Sequence, residues 1–478
     1  MPIPDSTAVL VVGAGPTGLM LANQLARHNV PVCIIDRHAG AALQTRALGV
    51  QARTLEIYAK LGIANQAIAL GRRAEGGNLW VEGKRATLEL ADGSRRDICA
   101  NWVAGCDGAH SAVRRLNGID FPGAPYEQVF FVADTIAQGP MVAGELNIFL
   151  RRDGFNLFFP MRGVDHWRVV GILPRGLRDR EDLRFDDVSN SVSSGVGADL
   201  SFRDCAWFST YRIHHRRAAR FREGSCFLLG DAAHVHSPVG AQGMNTGLQD
   251  AYNLGWKLAL VASGHGHEPL LDSYASEREP VAEHLLDTTD RAFSLVVSES
   301  RSARVLRGSL VAKIAAFAMR FDAARRFAFR TVSQIGIRYP RSPLSVASHD
   351  LPDTAPRAGD RFPWIRFLRA TDAPREDLFE LLDDRRFNLL RIGASKAPAL
   401  SPALDHWINK IEIPDEAANR PALARVRVPS PSAYLLRPDG HIGLAGRNLD
   451  EKSIGDYLAE RVGVKLQAKG IKLGSESH

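Results

Sequence analysis

An apolar run at residues 8–12 ends at Gly13 and opens the spacing Gly13-x-Gly15-x-x-Gly18. Leu19, Ala22, Leu25 and Ala26 then recur at helical intervals, and a second short apolar run, residues 32–35, stops at Asp36. Strand, glycine turn, helix and acid-ended strand together predict a βαβ unit built around an anion. The first glycine permits the turn, the second lets a pyrophosphate approach the backbone, and the third lets the helix pack on the strand. The helix N-terminus presents its unpaired N–H groups to that anion. A carboxylate at Asp36 can accept hydrogen bonds from an adenosine ribose. The expected dinucleotide cradle is Gly13, Ala14, Gly15, Pro16, Thr17, Gly18, Asp36 and Arg37.

A chain of 478 residues with 45% hydrophobic and 24% charged residues is globular and long enough for two or three cores, which excludes disordered and collagen-like classes. The net charge is +7, but Lys and Arg are scattered rather than gathered into an arm. That pattern favours steering of anionic cofactors and substrates over nucleic-acid binding. Five cysteines form an odd set without C-x-x-C or metal-type spacing, which fits a reducing cytosol and no structural metal. The uncharged stretch 8–26 is interrupted by Gly13, Gly15, Pro16 and Gly18 and has no cationic segment ahead of it. No other uncharged run nears the roughly 20 residues of a membrane span. The expectation is a soluble, cytoplasmic protein with neither a membrane nor a nucleic-acid partner.

Further along, alternation from residue 78 to 90 and the Asp92-Gly93 turn read as sheet, and a strand-rich region continues through residues 147–173 as the expected roof of a substrate cavity. Residues 227–229 read as a buried strand ending at Gly230-Asp231, before a long helix marked by Leu248, Ala251, Gly255, Leu258 and Ala262. Asp250 and Asn253 are expected on its solvent or interface face. Residues 285–338 read as helical and basic, and Pro340, Pro343, Pro352 and Pro356 mark a boundary. Beyond it, residues 388–392, 425–428 and 433–436 read as strands, Pro438-Asp439-Gly440 as a turn and residues 454–462 as a closing helix.

Two more segments bear on the cofactor. Val103-Ala104-Gly105-Cys106-Asp107-Gly108-Ala109-His110-Ser111-Ala112-Val113-Arg114 is an apolar strand running into an Asp-Gly turn and a helix. Cys226-Phe227-Leu228-Leu229-Gly230-Asp231 delivers a carboxylate to a small-residue turn, and Pro238-x-Gly240-x-Gln242-Gly243-Met244-Asn245 opens the long helix. With these, residues 8–282 resemble the class A flavoprotein monooxygenases, the family of para-hydroxybenzoate and phenol hydroxylases.

The resemblance implies FAD, with NADH or NADPH as co-substrate, and hydroxylation of a phenolic or related aromatic substrate by O2 through a flavin C4a-hydroperoxide. It implies that Asp36 holds the ribose, Asp231 a ribityl or pyrophosphate-side hydroxyl, and Gly243, Met244 and Asn245 the flavin pyrimidine edge, with Gly230 and Gly240 in the same turns. It places Asp107, Gly108 and Arg114 in a motif serving both FAD and the nicotinamide, and Arg53 beside the cofactor. It gives Arg46 a part in flavin movement and Pro238 a wall near the flavin ring; these two are the expected catalytic residues.

The implied fold is α/β: a Rossmann-like FAD-binding domain (1–122 and 205–285) with an inserted β-rich substrate domain (123–204). A helical connection (286–345) and a thioredoxin-like C-terminal domain (346–478) complete it. The last domain resembles that of the phenol hydroxylase branch at Tyr434-Leu435-Leu436-Arg437-Pro438-Asp439-Gly440 and is free of cysteine, which suits a structural or homodimer-forming part.

The chain departs from the family in one place. A longer stretch usually separates the helix at Arg53 from the Asp-Gly motif, whereas here Leu70 runs almost at once into Gly76-Gly77-Asn78. The omitted piece normally carries a helix that touches FAD and part of the substrate sheet. A non-catalytic or FAD-deficient scaffold, or another flavin oxidoreductase of the same fold, is therefore the alternative reading. The pairs His214-His215 and His234-x-His236 lack acidic or thiol companions and are not expected to bind metal. Tyr126, Tyr211, His214 and His215 are open candidates for the phenol-activating base. Phe155, Phe158, Phe159 and Trp167 are candidates either for the cavity lining or for plain core.

Overall fold

In the computed structural model, residues 6–36, 38, 49–71, 77–78, 98–151, 154–178, 180, 182–196, 200–235, 242–297, 321, 329–330, 333–347, 350–370, 373–393 and 400–465 are described. Strand β1 (Ser6–Val12) leads into helix α1 (Pro16–Arg27) and strand β2 (Val32–Ile35), which pairs parallel to β1. Val9 and Val11, which share one face of β1, are fully buried, while Ala8, Leu10 and Val12 on the other face are partly buried. Helices α2 (Ala52–Lys60) and α3 (Ala64–Leu70) follow. The two residues of β3 (Gly77–Asn78) join a different sheet; the strand expected up to residue 90 otherwise lies outside the described residues. Strand β4 (Cys99–Gly105) returns to the other side of β1, and α4 (Ala112–Leu116) leaves it.

A seven-stranded sheet comes next. It is made by β5 (Gly123–Gln138), β6 (Leu146–Arg151), β7 (Gly154–Pro160), β8 (His166–Ile172) and, after helix α5 (Phe185–Val196), β9 (Ser201–Arg217). With β3 at one edge and β12 (His234–Val235) at the other, its order is β12-β9-β5-β8-β7-β6-β3. Strand β9 runs across residue 205. One face, with Phe131, Phe149, Phe158 and Trp167, packs on Phe185, Val188 and Val192 of α5. Phe158 and Trp167 are thus plain core. On the alternate face Phe155 meets Phe130, whose ring also lies beside Tyr211.

Strands β10 (Arg222–Glu223) and β11 (Cys226–Leu228) restore the chain to the first sheet, whose order is β10-β11-β4-β1-β2. Helix α6 (Gly243–Ala262) then packs along α1, and α7 (Asp272–Val297) crosses it. A Cβ on Gly255 would lie 2.8 Å from Gln24, so only glycine permits this separation of α1 and α6. Asp250 and Asn253 are buried rather than on a solvent face. The reason is that α6 is enclosed on every side, and its polar residues meet partners inside the protein.

The C-terminal unit holds a short ribbon of β13 (Arg366–Phe367) and β14 (Glu376–Asp377), and a sheet of β15 (Phe387–Ile392), β16 (Ile408–Ile413), β17 (Ser432–Leu436) and β18 (Ile442–Gly446). The order is β16-β15-β17-β18; β15 and β16 are parallel, and β17 and β18 antiparallel to their neighbours. The strand expected at residues 425–428 is instead the end of a helix, Arg420–Arg425, followed by Arg427 at φ 59°. Alternation there reflects Val428 turning back into the core.

This unit shares a core with α6: Trp256 and Leu260 pack with Phe387, Leu389, Leu435, Tyr457 and Leu458. Charges are buried in the same seam. Glu277 of α7 accepts from Lys257 Nζ (2.8 Å), Asn253 Nδ2 (2.6 Å), Ser342 Oγ (2.5 Å) and both terminal nitrogens of Arg437 (2.5 and 2.9 Å). Arg437 also pairs with Asp439. Burial alone would raise the Glu277 carboxyl, but Arg437 and Lys257 hold it down to about 2.

Glu277→Gln leaves two buried cations undercompensated and is expected to lower stability by roughly 3–5 kcal/mol in urea unfolding. Because the folded pKa of Glu277 lies below its ordinary 4.5, its contribution is complete above that pH and fades as the pH falls toward 2. The melting temperature of the wild type should therefore fall more steeply over that window than that of Glu277→Gln.

Candidate cofactor site

The turn after β1 has the geometry its glycines predict. Gly13 sits at φ 104°, and a Cβ there would lie 2.4 Å from the carbonyl oxygen of Cys106, so the β1 and β4 turns are pressed together. A Cβ on Gly18 would lie 1.9 Å from the Gly13 carbonyl oxygen. Gly15 differs: a Cβ there meets nothing within 4 Å, and its φ of −69° suits any residue. Its lack of a side chain thus leaves open space at the mouth of α1, whose first turn has no side-chain cap and no acidic residue. Open space, uncapped N–H groups and a positive helix end fit a pyrophosphate.

Asp36 stands at the end of β2, where its Oδ2 accepts from the Ala14 N–H (2.7 Å) and its Oδ1 from the His38 N–H (2.8 Å). Burial works against its ionisation, but these bonds hold its carboxyl below the usual value. In the β4 turn, Asp107 accepts from Ser111 Oγ (2.5 Å) and the Ala112 N–H (2.6 Å), fixing the start of α4, and Gly108 takes φ 79°. Arg114 is buried over the Phe121 ring and donates to the carbonyls of Ala109 and Ala232, both at 2.8 Å. It therefore ties the β4 turn to the turn after β11.

That second turn carries Gly230 at φ 57° and then Asp231, exposed between buried neighbours. A Cβ on Gly230 would lie 2.8 Å from the Thr17 hydroxyl, and one on Gly247 of α6 would lie 2.5 Å from the same oxygen. Thr17 is thus the point where the glycine turn, the Gly230-Asp231 turn and the first turns of α6 converge. Gly243 and Met244 begin α6, which has no side-chain cap. Asn245 is engaged with the chain: its Oδ1 accepts from the Gln51 N–H (2.8 Å) and Thr54 Oγ1 (2.7 Å), and its Nδ2 donates to the Gly49 carbonyl (2.8 Å).

Asp250, expected from the sequence on the solvent or interface face of α6, is a buried residue that supports the site. Its Oδ2 accepts from the Gly230 N–H (3.0 Å) and faces His234 Nε2 at 2.7 Å, while Oδ1 accepts from Arg278 Nε (2.7 Å). The Glu277-Arg278 pair in the chain was the available signal, since a charged pair on a helix with few exposed positions needs buried partners. Arg53 is turned toward the C-terminal unit, donating to Glu56 and to the Asp439 carbonyl at 2.7 Å. Arg37, Arg46, Pro238 and Gly240 lie outside the described residues, as do the side chains of Tyr126 and His214. Among the described residues no group of His, Cys, Asp and Glu could hold a metal ion, and no helix is long and apolar enough to cross a membrane.

The sequence profile of the FAD binding domain family matches residues 6–92 and 81–289. The chain is 30% identical to 6-methylpretetramide 4-monooxygenase of Streptomyces rimosus, covering 93% of this chain and 92% of that protein. It is also 30% identical to pentachlorophenol 4-monooxygenase of Sphingobium chlorophenolicum, over 82% of this chain and 80% of the relative. The chain belongs to the class A FAD-dependent aromatic monooxygenases. Among solved monooxygenase structures, OxyS anhydrotetracycline hydroxylase from Streptomyces rimosus superposes with a TM-score of 0.72 at 25% identity, covering 96% of this chain and 99% of that one. The alignment to the first monooxygenase spans 518 positions, more than the 478 residues here, so that relative carries residues with no counterpart in this chain.

Gly15→Val should separate fold from cofactor. A Cβ there meets no protein atom within 4 Å and its φ suits any residue, so the melting temperature should stay near wild type, within about 1 kcal/mol of stability. FAD affinity measured by flavin fluorescence should drop at least roughly tenfold, about 1.4 kcal/mol. Gly18→Ala, by contrast, should destabilise the apoprotein.

Proposed function

We propose that this protein hydroxylates a phenolic or related aromatic substrate, consuming O2 and NADH or NADPH with FAD as its cofactor. The observation that carries the reading is the convergence on Thr17 of an open glycine turn, an exposed Asp231 and an uncapped helix start. The membership of the family and the names of the 6-methylpretetramide and pentachlorophenol relatives support an aromatic ring as the substrate class.

The FAD contacts we assign are Gly13, Ala14, Gly15, Pro16, Thr17 and Gly18 for the pyrophosphate, Asp36 for the ribose, and Asp231 for a hydroxyl of the flavin chain. The N–H groups of Gly243 and Met244 would meet the pyrimidine edge, where the positive end of α6 suits developing negative charge. FAD, when bound, supplies the redox and oxygen chemistry. The chain contributes a shaped cradle, orientation and exclusion of water. Arg46 and Pro238 are proposed beside the flavin ring, and Asp107, Gly108 and Arg114 in the shared FAD and nicotinamide motif.

We assign the FAD-binding domain to residues 1–122 and 205–285, the substrate sheet to 123–204 with β9 extending it, the connection to 286–345, and a thioredoxin-like domain to 346–478. The β16-β15-β17-β18 order with one parallel pair supports the last assignment. All five cysteines precede residue 227, so this domain does no thiol chemistry and has a structural or dimer-forming part. A cytoplasmic location fits the unpaired cysteines. The shortened segment after Leu70 favours one alternative, a scaffold deficient in FAD.

The deciding experiment supplies FAD to purified protein and follows NADPH and NADH oxidation across a panel of phenols and aromatic acids, with products read by mass spectrometry. The expected result is a gain of one oxygen on an intact ring. Protein that stays colourless with excess FAD would overturn the reading in favour of the scaffold.

A further inference from the structure

We propose that Asp250 is a positioning residue for the flavin site, which with Arg278 sets the orientation of the Gly230-Asp231 turn and the α6 start; this rests on the FAD assignment above. Asp250 is not among the residues assigned to contact FAD; it acts through Gly230, in the turn that carries Asp231. It is completely buried in the second turn of α6, behind Gly230. One carboxylate oxygen takes the Gly230 N–H at 3.0 Å and faces His234 Nε2 at 2.7 Å, bracketing Asp231 on both sides in sequence. Gly230 turns in the left-handed region at φ 57°, which glycine adopts without strain, and the Asp250 bond fixes the Leu229–Gly230 peptide from which the chain turns into Asp231.

The other oxygen takes Arg278 Nε at 2.7 Å. Arg278 is itself fully buried and forks onward to the Thr246 carbonyl (3.3 Å), in the first turn of α6, and to the Tyr339 hydroxyl (3.0 Å). A single ion pair therefore fixes two of the three elements that meet at Thr17. A rigid guanidinium fork suits that task because its donors are set in one plane. A pair whose role was only to hold α6 to α7 would have no need to engage the turn; the Glu277 cluster on the same two helices does that without touching it.

The test compares Asp250→Asn with Glu277→Gln. Both uncouple buried charges between the same helices, but only the first acts on the Gly230 turn. FAD titration by flavin fluorescence is done at a temperature where both variants are folded by circular dichroism, and the visible spectrum of bound flavin is recorded. The expected result is a rise of at least roughly tenfold in the FAD dissociation constant and a shifted flavin band for Asp250→Asn, near-wild-type values for Glu277→Gln, and partial recovery in Asp250→Glu. Equal loss of affinity in Asp250→Asn and Glu277→Gln, or none in Asp250→Asn, overturns the proposal. If Asp250→Asn does not fold, Arg278→Lys keeps a cation beside Asp250 but cannot reach both Thr246 and Tyr339; an unchanged spectrum and affinity there overturn it equally. Wild-type protein that binds no FAD would sink the cofactor assignment instead.

Discussion

The carboxylate of Glu277 lies out of reach of water, and the arrangement of α6, α7 and the C-terminal sheet follows from what must be brought to it. An ionised group in such a place is tolerated only with complete compensation. Here Lys257 and Asn253 of α6, Ser342 and Arg437 come from three separate stretches of chain to provide it. Displacing any one helix would strand a charge. Apolar packing of Trp256 and Leu260 against the C-terminal core supplies the bulk attraction, but it is less directional than this constellation. The ions therefore select one docking geometry among those that bury similar area.

Steric constraint plays the corresponding part at the cofactor cradle. Gly13, Gly18, Gly230, Gly247 and Gly255 stand where a methyl group would strike backbone or a packed side chain. Their joint effect is to bring a strand turn, a second strand turn and a helix start closer than ordinary residues allow. Gly15 is free of such contacts, as is Gly108, but of the two only Gly15 has a φ that any residue adopts. The other five are small on account of what is packed against them, whereas the space beside Gly15 is open.

The βαβ start, the Gly230-Asp231 turn, the long helix and the strands at residues 388–392 and 433–436 were legible because their periodicity and turn residues are local signals. Strand β16 was not anticipated, since Ile408–Ile413 carries Asn, Lys and Glu between its apolar positions and no sharp turn residue marks its start. Residues 425–428 misled for the converse reason: Arg-Val alternation imitates a strand, and only Arg427 φ reveals the turn. The sequence leaves Asp250 between a solvent and an interface face because it shows a charge but not the partner that neutralises it. Arg278 lies 28 residues along the chain from Asp250, so the Glu277-Arg278 pair signals buried charges on α7 without saying which residue of α6 meets them.

Helix α2 links these two systems. Arg53 reaches the Asp439 carbonyl, Glu56 pairs with Arg361, and Lys60 donates to the carbonyls of Phe379 and Leu382, while nearby Arg27 forks onto Asp384. The opposite side of the same helix hands Thr54 to Asn245 at the start of α6. The two halves of the molecule are therefore fastened by side chains that lie outside the connecting segment, residues 286–345, as well as by that segment. A scission of the backbone in that connection would leave the pieces clasped, so two separately made fragments have the means to recognise one another and rebuild the cradle.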